Sequence, residues 1–473
     1  MAQDGTKSYS PFNILLNAIL KGSSIEKLQQ AEDLISSMND IGSDARPDLA
    51  TYNMIISALS RSSAPDSQQK ATEYLRHMLK SYREGYEKAK PDSFVFNCII
   101  SMLSRSDEEW ADNAMYRTLM AMESQQKNGN TSVISDTITY NLVIGKLSKK
   151  PSKDNAKKLM ILLQKMEDNK SKAIAPDIIT YTSVLQLQDR VNPGKAAVIA
   201  SSYLERVLTS DEKIQIDKIG LKTLLKALSR SRKIEHARLA SKAWTRIEKE
   251  DESILDTELC NLVLISYRKA DDTNAAEEAL SFLSDRIRQY KEGKKGTVLP
   301  SVIGFGVIIA FLANVNRIAD AFKLIDIMTS LSKDVQSVKP DEGCYLSILN
   351  AMDSVENASP QVLSLLIRMN NDNIAMSTKT LNTAMNLICS TTSIINEEAK
   401  RKAIEVAFEV FHLGKEHRDS MTFALMIKVC MRLTNDEDTR IKLVEVSCSI
   451  LFCLFMYCHG YKSLNYSLSL ASF

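Results

Sequence analysis

The stretch PDIITYTSVL, residues 176–185, recurs with variations along the whole chain. Related stretches begin at Pro47, Pro91, Asp136 and Pro340. A turn-forming Pro-Asp, a short polar link, an aromatic residue and an apolar run together predict a helix start with its N-cap. Because the pattern returns at a near-fixed interval, the sequence predicts a repeat protein.

The residue after the aromatic position gives the register of each repeat. Successive register residues are 40, 44, 44, 41, 40, 39, 45, 40, 36 and 42 apart. This spacing fits two helices of roughly 12 to 16 residues and two loops, so we expect an all-α chain of about eleven helix-turn-helix repeats. The register residues are Asn13, Asn53, Asn97, Asn141, Thr182, Lys222, Asn261, Gly306, Leu346, Asn382 and Ala424.

The second helix of each repeat carries an apolar stripe. Ala71, Tyr74, Leu75 and Met78 follow i, i+3, i+4, i+7 spacing, and the same spacing begins at Ala31 and at Ala321. We expect these stripes, with their methionines, to form the core between stacked repeats. Three polar segments, 80–90, 123–135 and 288–296, are predicted to be inserted loops.

Composition points to an ordinary soluble protein, with 44% apolar and 25% charged residues. The formal net charge of +2 gives no sign of a nucleic-acid partner by itself. None of the eight cysteines forms a Cys-x-x-Cys pair, so we expect reduced, buried thiols in an intracellular compartment. The sequence has no phosphate loop, metal-spaced His/Cys cluster or paired acidic site, so no catalysis, metal or cofactor is assigned.

The two ends depart from the repeat pattern. Residues 1–8 leave no room for a capping module, and we expect the chain to be a fragment or a truncated gene model. Residues 443–461 are unusually apolar, but Glu445 and a length near the lower limit argue against a membrane span. Cys448, Cys453 and Cys458 do not share a helix face, which argues against zinc. Residues 462–473 form an off-pattern tail.

Pro-Asp closing one repeat, Thr-Tyr-Asn opening the next and Ala-x-x-Leu-x-x-x-Met in the second helix resemble the pentatricopeptide repeat family. The resemblance runs from about residue 9 to about residue 461, although these repeats are longer than the family norm and several lack the Asn. It implies a right-handed α-solenoid superhelix that binds single-stranded RNA, about one base per repeat. Because the repeats of Gly306 and Leu346 lack a polar register residue and the recurring cation described below, we expect an RNA-engaged section at 9–301 (repeats 1–7), degenerate repeats 8–9 at 302–377 and repeats 10–11 at 378–461.

The resemblance assigns two base-reading residues to each repeat, the register residue and the residue that closes the repeat. The implied pairs are Asn13 with Asp48, Asn53 with Asp92, Asn97 with Asp136, Asn141 with Asp177, Thr182 with Asp217, Lys222 with Asp256, Asn261 with Ser301 and Asn382 with Asp419. The family's code then implies a site 5′-UUUUG, one unassigned base, C or U, two unassigned bases, U-3′. The implied base-sandwiching residues are Phe94, Ile138, Ile179, Ile219 and Ile303.

Simpler roles exist for the same residue types. An Asp before a helix is ordinarily an N-cap, and an Asn in a first turn can bond the local backbone. Six Asn and one Thr nevertheless occupy one slot across the predicted repeats, and an Asn amide offers both a donor and an acceptor to a base edge. We therefore predict that this slot reads RNA.

A cation recurs eight residues after the register residue, although Lys and Arg make up only 60 of the 473 residues. Cations near helix C-termini are favoured by the helix dipole. Because two of the three repeats that lack the cation also lack a polar reader, we predict phosphate contacts instead. The predicted phosphate contacts are Lys21, Arg61, Arg105, Lys149, Arg190, Arg230, Lys269 and Arg432.

The sequence thus predicts a sequence-preferring, monomeric RNA-binding protein that is not an enzyme and does not associate with membranes. By resemblance it would act on organellar transcripts, in mitochondria or plastids. Two alternatives stay open. One is a scaffold that binds protein partners, and the other is the RNA-binding part of a processing enzyme whose catalytic module is absent.

Overall fold

The computed structural model describes residues 11–21, 25–41, 45–169, 172–210, 216–270, 272, 274–352, 359–390 and 397–433. Across these ranges every regular element is an α-helix or a short 3-10 helix. The predicted all-α class is therefore confirmed. The segments 1–8, 443–461 and 462–473, with their cysteines, lie outside the described residues, and the repeat number and superhelical hand stay predictions.

The chain divides into two compact units, Met1–Ser231 and Arg232–Phe473. The helices of the first unit are α1 Pro11–Leu20, α2 Ile25–Ile41, α3 Leu49–Arg61, α4 Ser67–Arg83, α5 Ser93–Ser104, α6 Glu109–Lys127, α7 Thr137–Ser148, α8 Lys153–Asp168, α9 Ile178–Val191, α10 Pro193–Thr209 and α11 Lys218–Leu228. Those of the second are α12 Ile234–Glu250, α13 Thr257–Lys269, α14 Ala275–Lys291, α15 Val302–Asn314, α16 Ile318–Leu331, α17 Glu342–Ala351, α18 Ser359–Asn371, α19 Thr378–Ser390, α20 Glu397–Leu413 and α21 Ser420–Leu433.

Packing within each unit follows a helical-pair scheme. In the first unit α1, α3, α5, α7, α9 and α11 each contact the next member of the series, and α2, α4, α6, α8 and α10 pack against them. The second unit repeats this arrangement, with α13, α15, α17, α19 and α21 in series. The first helices of successive repeats therefore form a continuous layer in each unit.

Aspartates start most of the first helices, as the recurring Pro-Asp predicts. Each carboxylate accepts the backbone N–H three residues later, at 2.8 to 3.1 Å. Such a cap contributes about 1 kcal/mol to helix stability. The capping residues are Asp48, Asp92, Asp136, Asp177, Asp217, Asp256, Asp341 and Asp419.

The core contains most of the residues that the periodicity selects, although Tyr74 is only half-buried. Ala321, Leu324, Ile325 and Met328 are all buried, and Met38 and Met78 in the equivalent stripes are buried too. Their role in core packing is confirmed. Four of the five cysteines in the described residues are buried, and burial raises the thiol pKa of Cys260 and Cys344 to about 12.

The three predicted loops are wrong at their N-terminal ends, because α4, α6 and α14 continue to Arg83, Lys127 and Lys291. Polar residues extend these helices because they find partners. Buried Glu123 accepts the Tyr140 hydroxyl at 2.6 Å and pairs with Lys165 at 2.5 Å. At the start of the segment 123–135, a polar composition was therefore not sufficient evidence for a loop.

Candidate nucleic-acid interface

The residue before each register position fixes the rotation of the first helix. Tyr52, Phe96, Tyr140, Tyr181, Phe305 and Tyr345 lie in this slot, and none is more than 4% exposed. A residue two positions away on a helix is rotated by about 200°, so it points away from the core. The buried aromatic residues therefore turn the residue three before the register position outward.

All five predicted base-sandwiching residues are exposed apolar side chains. Phe94 is 48% exposed, and the exposed fractions of Ile138, Ile179, Ile219 and Ile303 are 70%, 60%, 65% and 64%. Exposing a large apolar side chain to water is unfavourable. An exposed apolar side chain that recurs at one helix position therefore favours contact with another surface. One helical turn separates each from its register residue, so the two share a face.

Sequence reasoning missed one member of this series, Met421, which is 56% exposed. The signal was available, because Met421 lies three residues before Ala424, the last register residue. At the equivalent place in the second predicted repeat stands Ala50. A cleft of about 380 Å³ opens there, lined by Asp48, Leu49, Ala50, Asn53 and Lys88. A small side chain thus leaves a space between two successive reader slots.

The structure brings together five of the eight predicted reader pairs. The Asn13 amide donates to both Asp48 oxygens at 3.1 Å. Asn141 makes the same contact with Asp177 at 3.1 Å, and Asn382 with Asp419 at 3.1 and 3.3 Å. In the remaining two pairs the Asn53 amide donates to Asp92 at 3.2 Å and the Asn261 amide to Ser301 at 2.9 Å.

The other three predicted pairs differ. Asn97 meets Asp136 only through Thr139, whose hydroxyl is 3.1 Å from the Asn97 carbonyl and 2.7 Å from the carboxylate. No hydrogen bond joins Thr182 to Asp217 in the described part of the chain. Lys222 and Asp256 belong to different units.

A threonine completes several of these pairs, and the sequence analysis did not identify it. The Thr51 hydroxyl is 2.7 Å from the Asn13 carbonyl oxygen. Thr180 makes the equivalent contact with Asn141 at 2.6 Å, and Thr422 with Asn382 at 2.6 Å. Each threonine lies three residues after the capping Asp, so the same local spacing that forms the cap carries the hydroxyl to the neighbouring repeat.

Two repeats replace that threonine in informative ways. Val95 stands in its place beside Asn53, and the Asn53 carbonyl oxygen is buried without a hydrogen-bond partner. Beside Asn261 the residue is Gly304, where a Cβ would lie 2.2 Å from the Asn261 carbonyl oxygen. This glycine lets Asn261 lie against the helix start, where its carbonyl accepts the Ser301 backbone N–H at 3.2 Å.

One degenerate repeat fills the polar slot from another position. Leu346 occupies the register position, and Glu342, four residues earlier, accepts the Ser377 backbone N–H at 2.7 Å and also the Thr380 hydroxyl. Burial raises the pKa of Glu342, but the hydrogen bonds from Ser377 and Thr380 outweigh burial and hold it below its usual value. The start of α19 is therefore satisfied without an Asn.

All eight predicted phosphate-contacting cations are exposed. They lie at or near the C-terminal ends of the first helices, about 12 Å along the helix from the register residues. Two of them also bridge repeats. Arg105 donates to the Ser60 carbonyl at 3.1 Å, and Arg230 donates to the Asp189 carbonyl at 3.0 Å. These two side chains therefore support helix stacking as well as any phosphate contact.

Comparison with known proteins adds one similarity. No family model matches the sequence, and no curated protein matches it either. Among solved structures 32 chains match. The chain is similar to a pentatricopeptide repeat protein. That protein is PPR10 from maize, whose crystal structure covers 96% of this chain and is itself covered over 70% of its length, with 16% identity and a TM-score of 0.31.

Among the helices of the described ranges, none combines the length and apolar character needed to cross a membrane. Within the same ranges no group of three or more His, Cys, Asp or Glu side chains is placed to hold a metal ion.

Proposed function

We propose that this protein binds single-stranded RNA of preferred sequence through the first helices of its repeats. The observation that carries the proposal is the recurring Asn–Asp contact between successive repeats, beside an exposed apolar side chain. An amide in such a contact retains one N–H and at least one lone pair of its carbonyl oxygen, which suffice to address a base edge. An apolar side chain one turn away supplies a surface on which the same base can rest.

Charge supports the proposal. A net charge of +2 would not attract RNA by itself, but the exposed cations recur with the repeats. Cations at regular intervals neutralise successive phosphates of an extended strand and make its affinity depend on salt. Lys149, Arg190 and Lys269 are the best candidates, because no contact ties their side chains to other described residues.

The finer role rests on the sequence motifs. We propose that the protein acts as a monomer on organellar transcripts, in mitochondria or plastids, and that it protects or remodels RNA without a catalytic step. Occupying a single-stranded stretch blocks nucleases and prevents base pairing, so binding alone accounts for effects on stability, processing or translation.

The test is binding of the purified chain to a fluorescent RNA containing UUUUGNC, at two salt concentrations, with an all-A RNA of equal length as competitor. We expect preferential, salt-sensitive binding to the coded RNA. Equal binding to both RNAs would remove the base-reading role and leave the cations. Binding to neither would overturn the proposal and favour a scaffold for protein partners.

A further inference from the structure

We propose that the threonine three residues after each capping Asp is a positioning residue that fixes the orientation of the base-reading Asn amide. In this way it decides how sharply a slot separates uracil from cytosine. The residues concerned are Thr51, Thr180 and Thr422, and Val95 marks a slot that lacks this hydroxyl. The inference rests on the proposed function, because it concerns the same Asn slots.

The Asp carboxylate determines which end of the Asn amide faces it. An ionised carboxylate only accepts hydrogen bonds, so the amide nitrogen, and not the carbonyl oxygen, must face it. In the Asn141 slot both oxygens of Asp177 lie 3.1 Å from the amide nitrogen. A rotated amide would place its carbonyl oxygen against the carboxylate, which is repulsive.

The threonine hydroxyl determines the other end. The Thr180 oxygen accepts the Asp177 backbone N–H at 3.2 Å, and its proton remains to be donated. Two acceptors lie within reach of that proton, the Asn141 carbonyl oxygen and, at 2.9 Å, Asp177 Oδ1. Asp177 Oδ1 already accepts the Thr180 backbone N–H at 2.8 Å and the Asn141 amide at 3.1 Å. The hydroxyl proton is therefore best used by the Asn141 carbonyl oxygen, 2.6 Å away. Both ends of the amide are then held.

A fixed amide presents its remaining donor and acceptor in a fixed order. Uracil offers a ring N–H donor beside a carbonyl acceptor on its pairing edge, whereas cytosine offers a ring acceptor beside an amino donor. The two pyrimidines therefore demand opposite amide orientations. An amide that cannot rotate discriminates between them, because the wrong base leaves polar groups unpaired.

The Asn53 slot provides the contrast within the same chain. Its amide nitrogen contacts Asp92 at 3.2 Å, but Val95 offers no hydroxyl and the Asn53 carbonyl oxygen has no partner. This amide is held at one end only, and its free carbonyl oxygen is buried beside the reader face. We expect the Asn53 slot to tolerate cytosine better than the Asn141 slot.

The experiment exchanges the two states with Thr180→Val and Val95→Thr in the full chain. The probes are a U-rich RNA and its single U→C substitutions at every position, each titrated to a Kd. We expect T180V to lower the U-to-C discrimination at one position by about fivefold or more. V95T should raise discrimination at a second position, two nucleotides away, since the two slots belong to the second and fourth predicted repeats.

Two controls separate the possible outcomes. Thr180→Ser restores a hydroxyl and should recover the discrimination, while melting curves show whether any variant has lost its fold. Should T180V fail to fold, V95T carries the test, because it adds a partner to a buried acceptor and should also raise the Tm. A wild-type chain that shows no RNA binding or no pyrimidine preference would overturn the proposed function. A wild-type preference that neither T180V nor V95T changes would overturn the positioning role alone.

Discussion

The side-chain amide of Asn141 donates to both carboxylate oxygens of Asp177 at 3.1 Å, across 36 positions of the chain. The same carboxylate caps α9 by accepting the Thr180 backbone N–H at 2.8 Å. Capping and pairing are therefore compatible roles of one Asp. In four repeats, those capped by Asp48, Asp92, Asp177 and Asp419, the carboxylate couples the start of its own helix to the register residue of the repeat before it.

We expect Asn141→Ala to weaken binding of the coded RNA by about fivefold or more, because a base-edge contact is worth about 1–3 kcal/mol. Titration of a fluorescent RNA, with substitutions at each base in turn, should show the preference lost at a single position. The matched control is Asn370→Ala, since Asn370 is an exposed residue of the second helix α18. An equal loss from both variants would contradict a reading role for Asn141.

The exposed apolar series gives a second prediction. Ile138→Ala together with Ile179→Ala removes apolar surface that a base would cover, at roughly 1–2 kcal/mol per side chain, and weakens RNA binding. Both side chains are exposed in the free protein, so the melting temperature should hardly change. Binding titrations and thermal melts check the two expectations.

The control for this series is Ile161→Ala with Ile367→Ala, two exposed isoleucines of second helices. We expect this pair to leave RNA affinity unchanged. If removing Ile161 and Ile367 reduces affinity as strongly as removing Ile138 and Ile179, the surface of the first helices is not the base-contacting one.

Charge reversal tests the phosphate contacts. Changing Lys149, Arg190 and Lys269 to Glu should weaken RNA binding and reduce the slope of log affinity against log salt by about 2, since each single-strand phosphate contact contributes about 0.7. The control reverses Lys157, Lys242 and Lys249, which are exposed on the second helices α8 and α12. If the two triple variants change the salt slope equally, RNA affinity depends on net charge and not on the position of the cations.

Acid should remove the contribution that the Asp419 carboxylate makes to the stability of the fold. The Thr422 backbone N–H, with further hydrogen bonds from the Thr422 hydroxyl and the Asn382 amide, holds the pKa of Asp419 below its usual value. A carboxyl group whose pKa is lower in the folded state stabilises the fold at pH values above its pKa in the unfolded chain, which is about 3.9 for Asp. This stabilisation is lost as the pH falls through the folded-state pKa.

The measurement compares apparent Tm for the wild type and Asp419→Asn from neutral pH downward. We expect the wild type to be more stable at neutral pH and the difference to vanish in the acid range. A difference that stays constant down to about pH 3 would show that the charge of Asp419 does not stabilise the fold.

The sequence predicted the features that depend on near neighbours in the chain. The cap of α9 joins Asp177 to Thr180, three residues apart, and the same local pattern predicts that Tyr181 is buried and that Ile179 is not. The helix extensions were not predictable in this way. Glu123 belongs to a polar segment, and only its partners Tyr140 and Lys165 show why it is helical and buried.

By itself the sequence determined the helix starts, the repeat period and the residue types that face outward, because caps and amphipathic stripes act over a few residues. Tertiary structure alone decided which further side chains complete the predicted pairs between repeats. The threonine beside Asn141, the unpartnered carbonyl of Asn53 and the substitution of Glu342 for a missing Asn all depend on contacts across 38 or 39 positions. Such contacts are set by how one helix packs on the next, and no local pattern specifies that packing.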